Sequence, residues 1–310
     1  MARFSEKISL FFLVLSLFAI ASGLINFSFS LILGFFYAIV LGNPYQLKTQ
    51  WASGHILKIS IVLMGFGLNI QEIAETARSS FWITIITISF AMTAGLILGR
   101  LFNVDSRLSF LVSGGTAICG GSAIAALAPA IKARPTHLLI SISIVFLLNA
   151  AGLLAYPYIG EWLELSQSEF GLWAALGIHD TSSVVGAAAE YGEESLKVAT
   201  TTKLARALWI IPLVFIAGYA FRHEQSKSKL PVFILFFVGA SLIASFVPSI
   251  STISSYAPVI AKRGMAISLF LIGSGFNQQT LKEIESSAFW QGLLLWILVS
   301  VSALALIKWL

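Results

Sequence analysis

Charge is what this sequence lacks most. Asp, Glu, Lys and Arg make up only 11% of its 310 residues, whereas 57% are hydrophobic. Soluble domains carry about 25% charged residues, so this chain has too few to cover a surface that faces water. The composition therefore predicts a polytopic membrane protein. The net charge of +5 does not indicate a nucleic-acid partner, because Lys and Arg lie mainly in short loops, as the cytoplasmic loops of membrane proteins require.

Cysteines and nucleotide-binding motifs are also missing or scarce. Cys119 is the lone cysteine, which excludes an internal disulfide and says nothing about the redox compartment. The sequence contains no P-loop, no GxGxxG motif and no large soluble domain. A primary ATP-driven pump in this single chain is therefore not expected, and a secondary transporter or a channel is the natural class. We predict no cofactor and no metal.

Long apolar runs fill most of the chain. A helix needs about 20 apolar residues to span a membrane, and the runs predict about eleven membrane segments. The connecting loops are short, so we expect one transporter domain over 1–310. The predicted segments are 8–25, 29–42, 52–70, 80–100, 108–131, 136–159, 170–190, 196–221, 230–248, 257–277 and 287–309.

The first apolar run follows Arg3 and Lys7 and lacks a small-x-small cleavage site. We interpret it as a transmembrane helix with a cytoplasmic N-terminus rather than as a signal peptide. Aromatic belts at the membrane surfaces are typical of such proteins. We assign to them Trp51, Trp82, Trp162, Trp173 and Trp290.

Loop charges conflict at two places with a simple count of crossings. If every segment crosses, Lys132 and Arg134 fall outside, and the eighth segment ends outside beside Arg222. Lys and Arg prefer the cytoplasmic side. Both conflicts vanish if 108–131 and 170–190 are re-entrant hairpins that enter from opposite faces. The alternative is that both cross as broken helices and that the preference of Lys and Arg for the cytoplasmic side, the positive-inside rule, is locally violated.

Two stretches of the sequence repeat each other. Residues 60–69 read SIVLMGFGLN and residues 268–277 read SLFLIGSGFN. With two re-entrant segments between them, the copies run in opposite directions across the membrane, which is typical of the inverted-topology repeats of secondary transporters. A weaker repeat aligns AICGGSAIAALA at 117–128 with GIHDTSSVVGAAA around Ile178. The two repeats do not fit one simple tandem unit.

The segment 108–131 is unusually rich in small residues, because 14 of its 24 residues are Gly, Ala, Ser or Thr. Irregular backbone at membrane depth survives only where protein buries it or water reaches it, and N–H groups freed at a half-helix N-terminus bind anions. The alternative is tight helix packing alone. We interpret Cys119 as a small packing residue, with a nucleophile as the alternative. The predicted anion site consists of Gly114, Gly115, Thr116, Gly120, Gly121 and Ser122.

Ionisable residues interrupt the apolar segment 170–190. His179 and Asp180 are costly at membrane depth and mark function by default. Asp180 is predicted to carry a coupling proton or to pair with a buried cation, and His179 can titrate near neutrality. The alternative is that both lie at a segment end, in the interface. We add Thr181, Ser182 and Ser183 to the anion site.

Two cations lie well inside the segment 196–221. Lys203 and Arg206 are spaced i, i+3, so they share one helix face. Two cations at depth need anions, which are a substrate oxyanion, Asp180 or both. Asn69 and Asn277, which end the two copies of the longer repeat, are predicted to coordinate a coupling ion or substrate. Each can equally cap a helix end.

At these clusters the sequence resembles the YeiH-type sulfate exporter family of bacterial inner-membrane proteins. The resemblance covers essentially the whole chain. It implies a secondary transporter of about ten to eleven helices that exports sulfate or a related sulfur oxyanion such as sulfite. The motifs that carry it are SGGTAICGGSAIAALAP at 113–129, GIHDTSSVVGAA at 177–188, TTKLARAL at 201–208, GFGLN at 65–69 and GSGFN at 273–277.

We therefore predict an all-α polytopic transporter with an inverted repeat and two interrupted segments. Its partners are a small inorganic anion, a coupling H⁺ or Na⁺ and the lipid bilayer, and a homodimer is expected from the habits of such transporters. One alternative is a Na⁺- or H⁺-coupled carrier of an organic anion or a cation antiporter that uses Asp180. A passive anion channel is another. A membrane enzyme that uses Cys119, His179 and Asp180 belongs to a different class.

Overall fold

Helices account for all the regular structure that the computed structural model describes, which covers residues 2–25, 27–221, 232–247, 250–275 and 285–309. Within these ranges there are fifteen α-helices and no β-strand. The helices are α1 Ala2–Ser22, α2 Phe27–Val40, α3 Gln46–Gly65, α4 Ile70–Ser79, α5 Phe81–Leu101, α6 Ser106–Ala117, α7 Gly121–Ala130, α8 Pro135–Trp162, α9 Gln167–Gly177, α10 Thr181–Tyr191, α11 Glu193–Ala207, α12 Ile210–Ala220, α13 Val232–Phe246, α14 Ser251–Ser274 and α15 Ser286–Trp309.

Five helical stretches among the described residues are long and apolar enough to cross a membrane. Many of their large apolar side chains point outward, and Phe215 and Val301 are more than half exposed. A helix of a soluble protein keeps its outer face polar, so these faces require lipid. The five stretches are Phe81–Leu101, Thr136–Trp162, Glu193–Ala220, Ser254–Ser274 and Ser286–Trp309. The prediction of a polytopic α-helical membrane protein is thereby confirmed.

The helices in the structure differ from the predicted segments at two places. The segment 196–221 is divided into α11 and α12 by a turn at Leu208 and Trp209. Pro212 explains the turn, because it has no N–H to donate to the carbonyl of Leu208 and its ring would collide with that carbonyl. The short helix α4 lies between 52–70 and 80–100, where we expected a loop. Ten residues of mixed polarity escape a search for long apolar runs.

The helices pack into two compact units. Unit 1 comprises Met1–Ala74, Val185–Glu190 and Val232–Gln278. Unit 2 comprises Glu75–Val184, Tyr191–Pro231 and Gln279–Leu310. In unit 1, α14 packs against α2 and α3, and α13 packs against α3. In unit 2, α6 packs against α5, α7, α8 and α15, and α9 packs against α11 and α15.

The glycines of the longer sequence repeat allow two close helix crossings in unit 1. A Cβ atom added to Gly65 in α3 would lie 2.5 Å from the carbonyl oxygen of Phe237 in α13. A Cβ atom added to Gly273 in α14 would lie 2.5 Å from the carbonyl oxygen of Leu31 in α2. Matching glycines therefore make matching contacts, each with the backbone of the helix that precedes the other copy.

In unit 2 the chain reverses direction between α6 and α7. A Cβ atom on Gly115 would lie 2.8 Å from Cδ1 of Ile124, and Gly114 similarly faces the side chain of Leu127. In one continuous helix these pairs would be about 14 and 20 Å apart, at 1.5 Å per residue. The reversal occurs at residues 118–120, where Gly120 has a φ of 60°, a conformation that favours glycine.

A second reversal separates α9 from α10. The Tyr191 hydroxyl at the end of α10 donates to the carbonyl of Leu165, 2.6 Å away, and its ring stacks on Phe170 with centroids 3.8 Å apart. The end of α10 thus returns to the level at which α9 begins. The turn lies at residues 178–180. The weaker sequence repeat aligns 118–120 with 178–180, so it marks the two turns, which we call the tips.

Candidate functional site

The two tips are in contact with each other and with α8. Thr116 Oγ1 and His179 Nε2 are 3.0 Å apart, within hydrogen-bonding distance. A Cβ atom on Gly120 would lie 3.4 Å from Cβ of Asp180. The side chain of Asn149, in the middle of α8, accepts a hydrogen bond from the backbone N–H of Asp180 at 2.9 Å. The structure therefore brings together the predicted clusters 114–122 and 179–183.

Lys203 in α11 binds the C-terminal end of α9. Its side chain is fully buried, and Nζ donates to the carbonyl oxygens of Ile178 at 2.7 Å and Ala175 at 3.2 Å. The last carbonyls of a helix have no partner inside the helix and carry the negative end of its dipole. A buried ammonium group at this position satisfies both carbonyls and compensates the dipole.

Arg206, one turn further along α11, joins the C-terminal ends of α6 and α9. It is fully buried. Nε donates to the carbonyl of Ala117 at 2.8 Å, and Nη1 donates to the carbonyl of Leu176 at 3.1 Å. Nη2 is buried and has no hydrogen-bond partner. One guanidinium group therefore holds both tips and keeps a free donor.

Asp180 caps α10 instead of pairing with these cations. Its carboxylate accepts hydrogen bonds from the backbone N–H of Ser182, at 3.1 Å, and from the Ser182 hydroxyl. Among the described residues, no salt bridge joins Asp180 to Lys203 or Arg206. The predicted ion pair is thus replaced by contacts with the backbone. The carboxylate caps the N-terminus of a helix, and the cations bind carbonyls at the C-termini of helices.

The N-terminus of α7 lacks the counter-charge that α10 has. Gly120 stands where the repeat places Asp180, so the N-cap residue of α7 has no side chain that could cap the helix. The N–H of Ala123 contacts the sulfur of Cys119, which also lies 2.8 Å from the Ser122 hydroxyl. Gly121 is half-buried and Ser122 is exposed. The positive end of the α7 dipole is therefore open to an external anion.

Three buried polar atoms at the tips have no hydrogen-bond partner. Nine such side-chain atoms occur among the described residues, and Arg206 Nη2, Asn149 Nδ2 and His179 Nδ1 belong to residues that bind the tips or form them. An unpaired buried donor costs about 1–3 kcal/mol, so each needs a reason. Two are certain donors, since both an amide nitrogen and a guanidinium nitrogen carry hydrogens. Such donors fit an oxyanion.

Sequence reasoning missed two residues that build this site, Asn149 and Trp296. Trp296 Nε1 in α15 donates to the carbonyl of Gly177 at 3.0 Å, which completes the C-terminal end of α9. Trp173, predicted to lie in an interfacial belt, is only 3% exposed and donates to the carbonyl of Ser300, so that prediction is wrong. Asn149 could have been found from the sequence, because it is a single amide in the long apolar helix α8. No feature of the sequence distinguishes Trp296 from the other tryptophans.

The remaining predicted site residues that the structure describes make no hydrogen bond between the two tips, and they have other positions in the structure. Gly114 and Gly115 face α7, so they serve the packing of the hairpin. Thr181 and Ser183 are buried in the first turn of α10. Asn69 belongs to unit 1, and its side chain accepts the N–H of Gln71 at 2.9 Å, which caps the start of α4. Asn277 lies outside the described residues.

The fold and the site define an all-helical, multi-pass membrane protein with polar hairpin tips inside one compact unit. The chain belongs to the family described as Conserved hypothetical protein 698, whose model matches residues 7–306. It is 42% identical to a UPF0324 membrane protein of Bdellovibrio bacteriovorus over 289 residues, 91% of this chain and 89% of the relative. A UPF0324 membrane protein of Photobacterium profundum is 42% identical over 299 residues, 96% of this chain and 91% of the relative. No solved structure matches the chain.

Proposed function

We propose that this protein is a secondary transporter that exports a small inorganic sulfur oxyanion, sulfate or sulfite, across the bacterial inner membrane, with its N-terminus in the cytoplasm. The observation that carries the proposal is the burial of Lys203 and Arg206 at two touching hairpin tips, with Asp180 as the neighbouring carboxylate. Buried cations without enough counter-charge are expensive, and an anion offsets that cost. The resemblance to sulfate exporters supports the sulfur oxyanion as the cargo.

The position of the tips along α8 supports a site near the membrane midplane. Val145, which Gly120 approaches, is ten residues after the start of α8, and Asn149 is fourteen residues after it. These positions correspond to about 15 and 21 Å along a helix of about 42 Å. Irregular backbone at that depth is tolerated where protein surrounds it. Interrupted helices that meet at the midplane are where secondary transporters bind their substrates.

Contacts near the start of α6 support the re-entrant form of these segments. Asp105, which caps α6, lies 3.7 Å from His137 in the first turn of α8. The chain therefore enters and leaves the hairpin of α6 and α7 at the same level. A re-entrant hairpin also keeps Lys132 and Arg134 on the cytoplasmic side, in agreement with the positive-inside rule. The matching crossings at Gly65 and Gly273 support the inverted repeat.

We further propose that the anion binds at the open N-terminus of α7, where it takes the place that the Asp180 carboxylate has at α10. Arg206 Nη2 and Asn149 Nδ2 are the donors that remain for its oxygens. Asp180 and His179 are the candidates for coupling to H⁺, because protonation of Asp180 would weaken the cap of α10. The alternative coupling ion is Na⁺.

Flux of radiolabelled sulfate and sulfite into proteoliposomes, with and without a pH gradient, tests the proposal. We expect flux that follows the gradient in the wild-type protein and is lost in Lys203→Gln. Lys197→Gln is the matched control, since it removes a half-buried lysine from the same helix without touching the tips. Cys119→Ala should retain flux, whereas an enzyme with a cysteine nucleophile would lose its activity. Absence of flux for both anions in well-reconstituted protein would refute the cargo.

A further inference from the structure

We propose that the site at the tips selects anions with a single negative charge. This inference rests on the proposed function, because it concerns the same site. Three charged side chains lie at the tips, where Lys203 and Arg206 bind the carbonyls of Ile178 and Ala117 and Asp180 caps α10. Two cations and one carboxylate leave a net charge of +1. His179, which is buried at the same tip, is counted as neutral while the anion binds, because an imidazolium would place a third positive charge beside two buried cations.

A singly charged anion neutralises this site, whereas a doubly charged anion reverses its sign. A net charge of either sign is costly in a buried environment, because few solvent dipoles remain to stabilise it. The donors available to the ligand do not change this count. Asn149 Nδ2 and the backbone N–H groups of α7 are neutral, and the charge of Arg206 has already been counted.

The inference divides the sulfur oxyanions into two groups. Hydrogensulfite carries one charge near neutral pH, whereas sulfate carries two. The site therefore favours the protonated form of sulfite over sulfate. The proton travels with the sulfur anion, so transport of sulfite would move one charge and not two.

The test compares the binding of methanesulfonate and sulfate to the purified full-length protein by isothermal titration calorimetry. Both are tetrahedral sulfur anions with fixed charges of one and two. We expect methanesulfonate to bind at least about tenfold more tightly, because sulfate must lose the hydration of two charges and leaves the buried site with an uncompensated negative charge, which costs several kcal/mol. Fluorosulfate, which has the shape of sulfate and one charge, should bind like methanesulfonate.

A charge-changing variant separates site charge from the hydration of the anions. Asp180→Asn raises the net charge of the site to two, and asparagine caps a helix about as well as aspartate. The ratio of the two dissociation constants should shift toward sulfate by at least about tenfold. Asp105→Asn makes the same chemical change at the N-cap of α6, away from the tips, and should leave the ratio unchanged.

Each outcome bears on a different proposal. Tighter binding of sulfate than of both monovalent anions, or a ratio that Asp180→Asn leaves unchanged, overturns the charge inference and leaves the transporter intact. If Asp180→Asn does not fold, the comparison of sulfate with fluorosulfate in the wild-type protein decides. If none of the three anions binds and neither sulfate nor sulfite is carried, the proposed function itself fails.

Discussion

Replacement of Gly273 by alanine should destabilise the protein, although alanine is the better helix former. The added Cβ atom would lie 2.5 Å from the carbonyl oxygen of Leu31, and ordinary contact begins at 3.4 Å. The difference requires α14 and α2 to separate locally by about 0.9 Å, because neither group is a side chain that can rotate away. A gap of 0.5–1 Å forfeits roughly a quarter to a half of the dispersion energy of the affected contacts.

The expected net effect of Gly273→Ala is a loss of about 1–3 kcal/mol in the free energy of unfolding, typical of overpacking. Gly54→Ala in α3 and Gly239→Ala in α13 are the controls, because an added Cβ atom meets nothing within 4 Å at either position. Each control should gain up to about 0.5–1 kcal/mol from helix propensity. The assay is unfolding of purified protein by SDS titration in mixed micelles. A Gly273→Ala protein as stable as the controls would refute the close crossing of α14 and α2.

Three further predictions concern the hairpins. Asp105→Ala should cost about 1 kcal/mol of unfolding free energy at neutral pH through loss of the α6 cap. Although partial burial opposes the shift, hydrogen bonding from backbone N–H groups lowers the pKa of Asp105 in the folded protein. The cap therefore stabilises the protein fully above the unfolded pKa of about 3.9, and this contribution is lost as pH falls through the lower folded pKa. A difference in unfolding free energy between wild type and Asp105→Ala that stays constant with pH contradicts this. Trp296→Phe, which removes a donor from a buried carbonyl at the end of α9, should cost about 1–3 kcal/mol of unfolding free energy, whereas Trp290→Phe at an exposed position should cost little. Asn149→Ala should weaken methanesulfonate binding in calorimetry by at least about tenfold, because one hydrogen bond to a charged group contributes about 1.5–3 kcal/mol. Unchanged binding would remove this residue from the site.

The membrane class and the positions of the helix ends at both tips could be predicted from the sequence, for different reasons. Scarcity of charge is a property of composition, so it needs no knowledge of the fold. Gly120-Gly121 and the pair His179-Asp180 disrupt apolar runs locally, and helices end or begin beside them, whereas Gly114-Gly115 lies inside α6. Local sequence determines such breaks, because glycine and helix-capping residues act within one turn.

The partners of the buried cations could not be predicted in the same way. Lys203 and Arg206 bind backbone carbonyls, and every residue of the chain has one. Only the tertiary structure selects the carbonyls at the ends of α6 and α9. The same limit applies to Trp296, whose indole resembles any other aromatic in an apolar helix until its partner is known.

The guanidinium of Arg206 has a mechanical consequence for the unit that contains it. It is bonded to α6 through Ala117 and to α9 through Leu176, so neither tip can leave the other without breaking a charge-assisted hydrogen bond inside the protein. Such a bond contributes roughly 1.5–3 kcal/mol, and a buried charge left behind costs more. The two hairpins are thereby fastened at their ends, and any displacement of this unit moves both tips together, with the geometry of the space between them preserved.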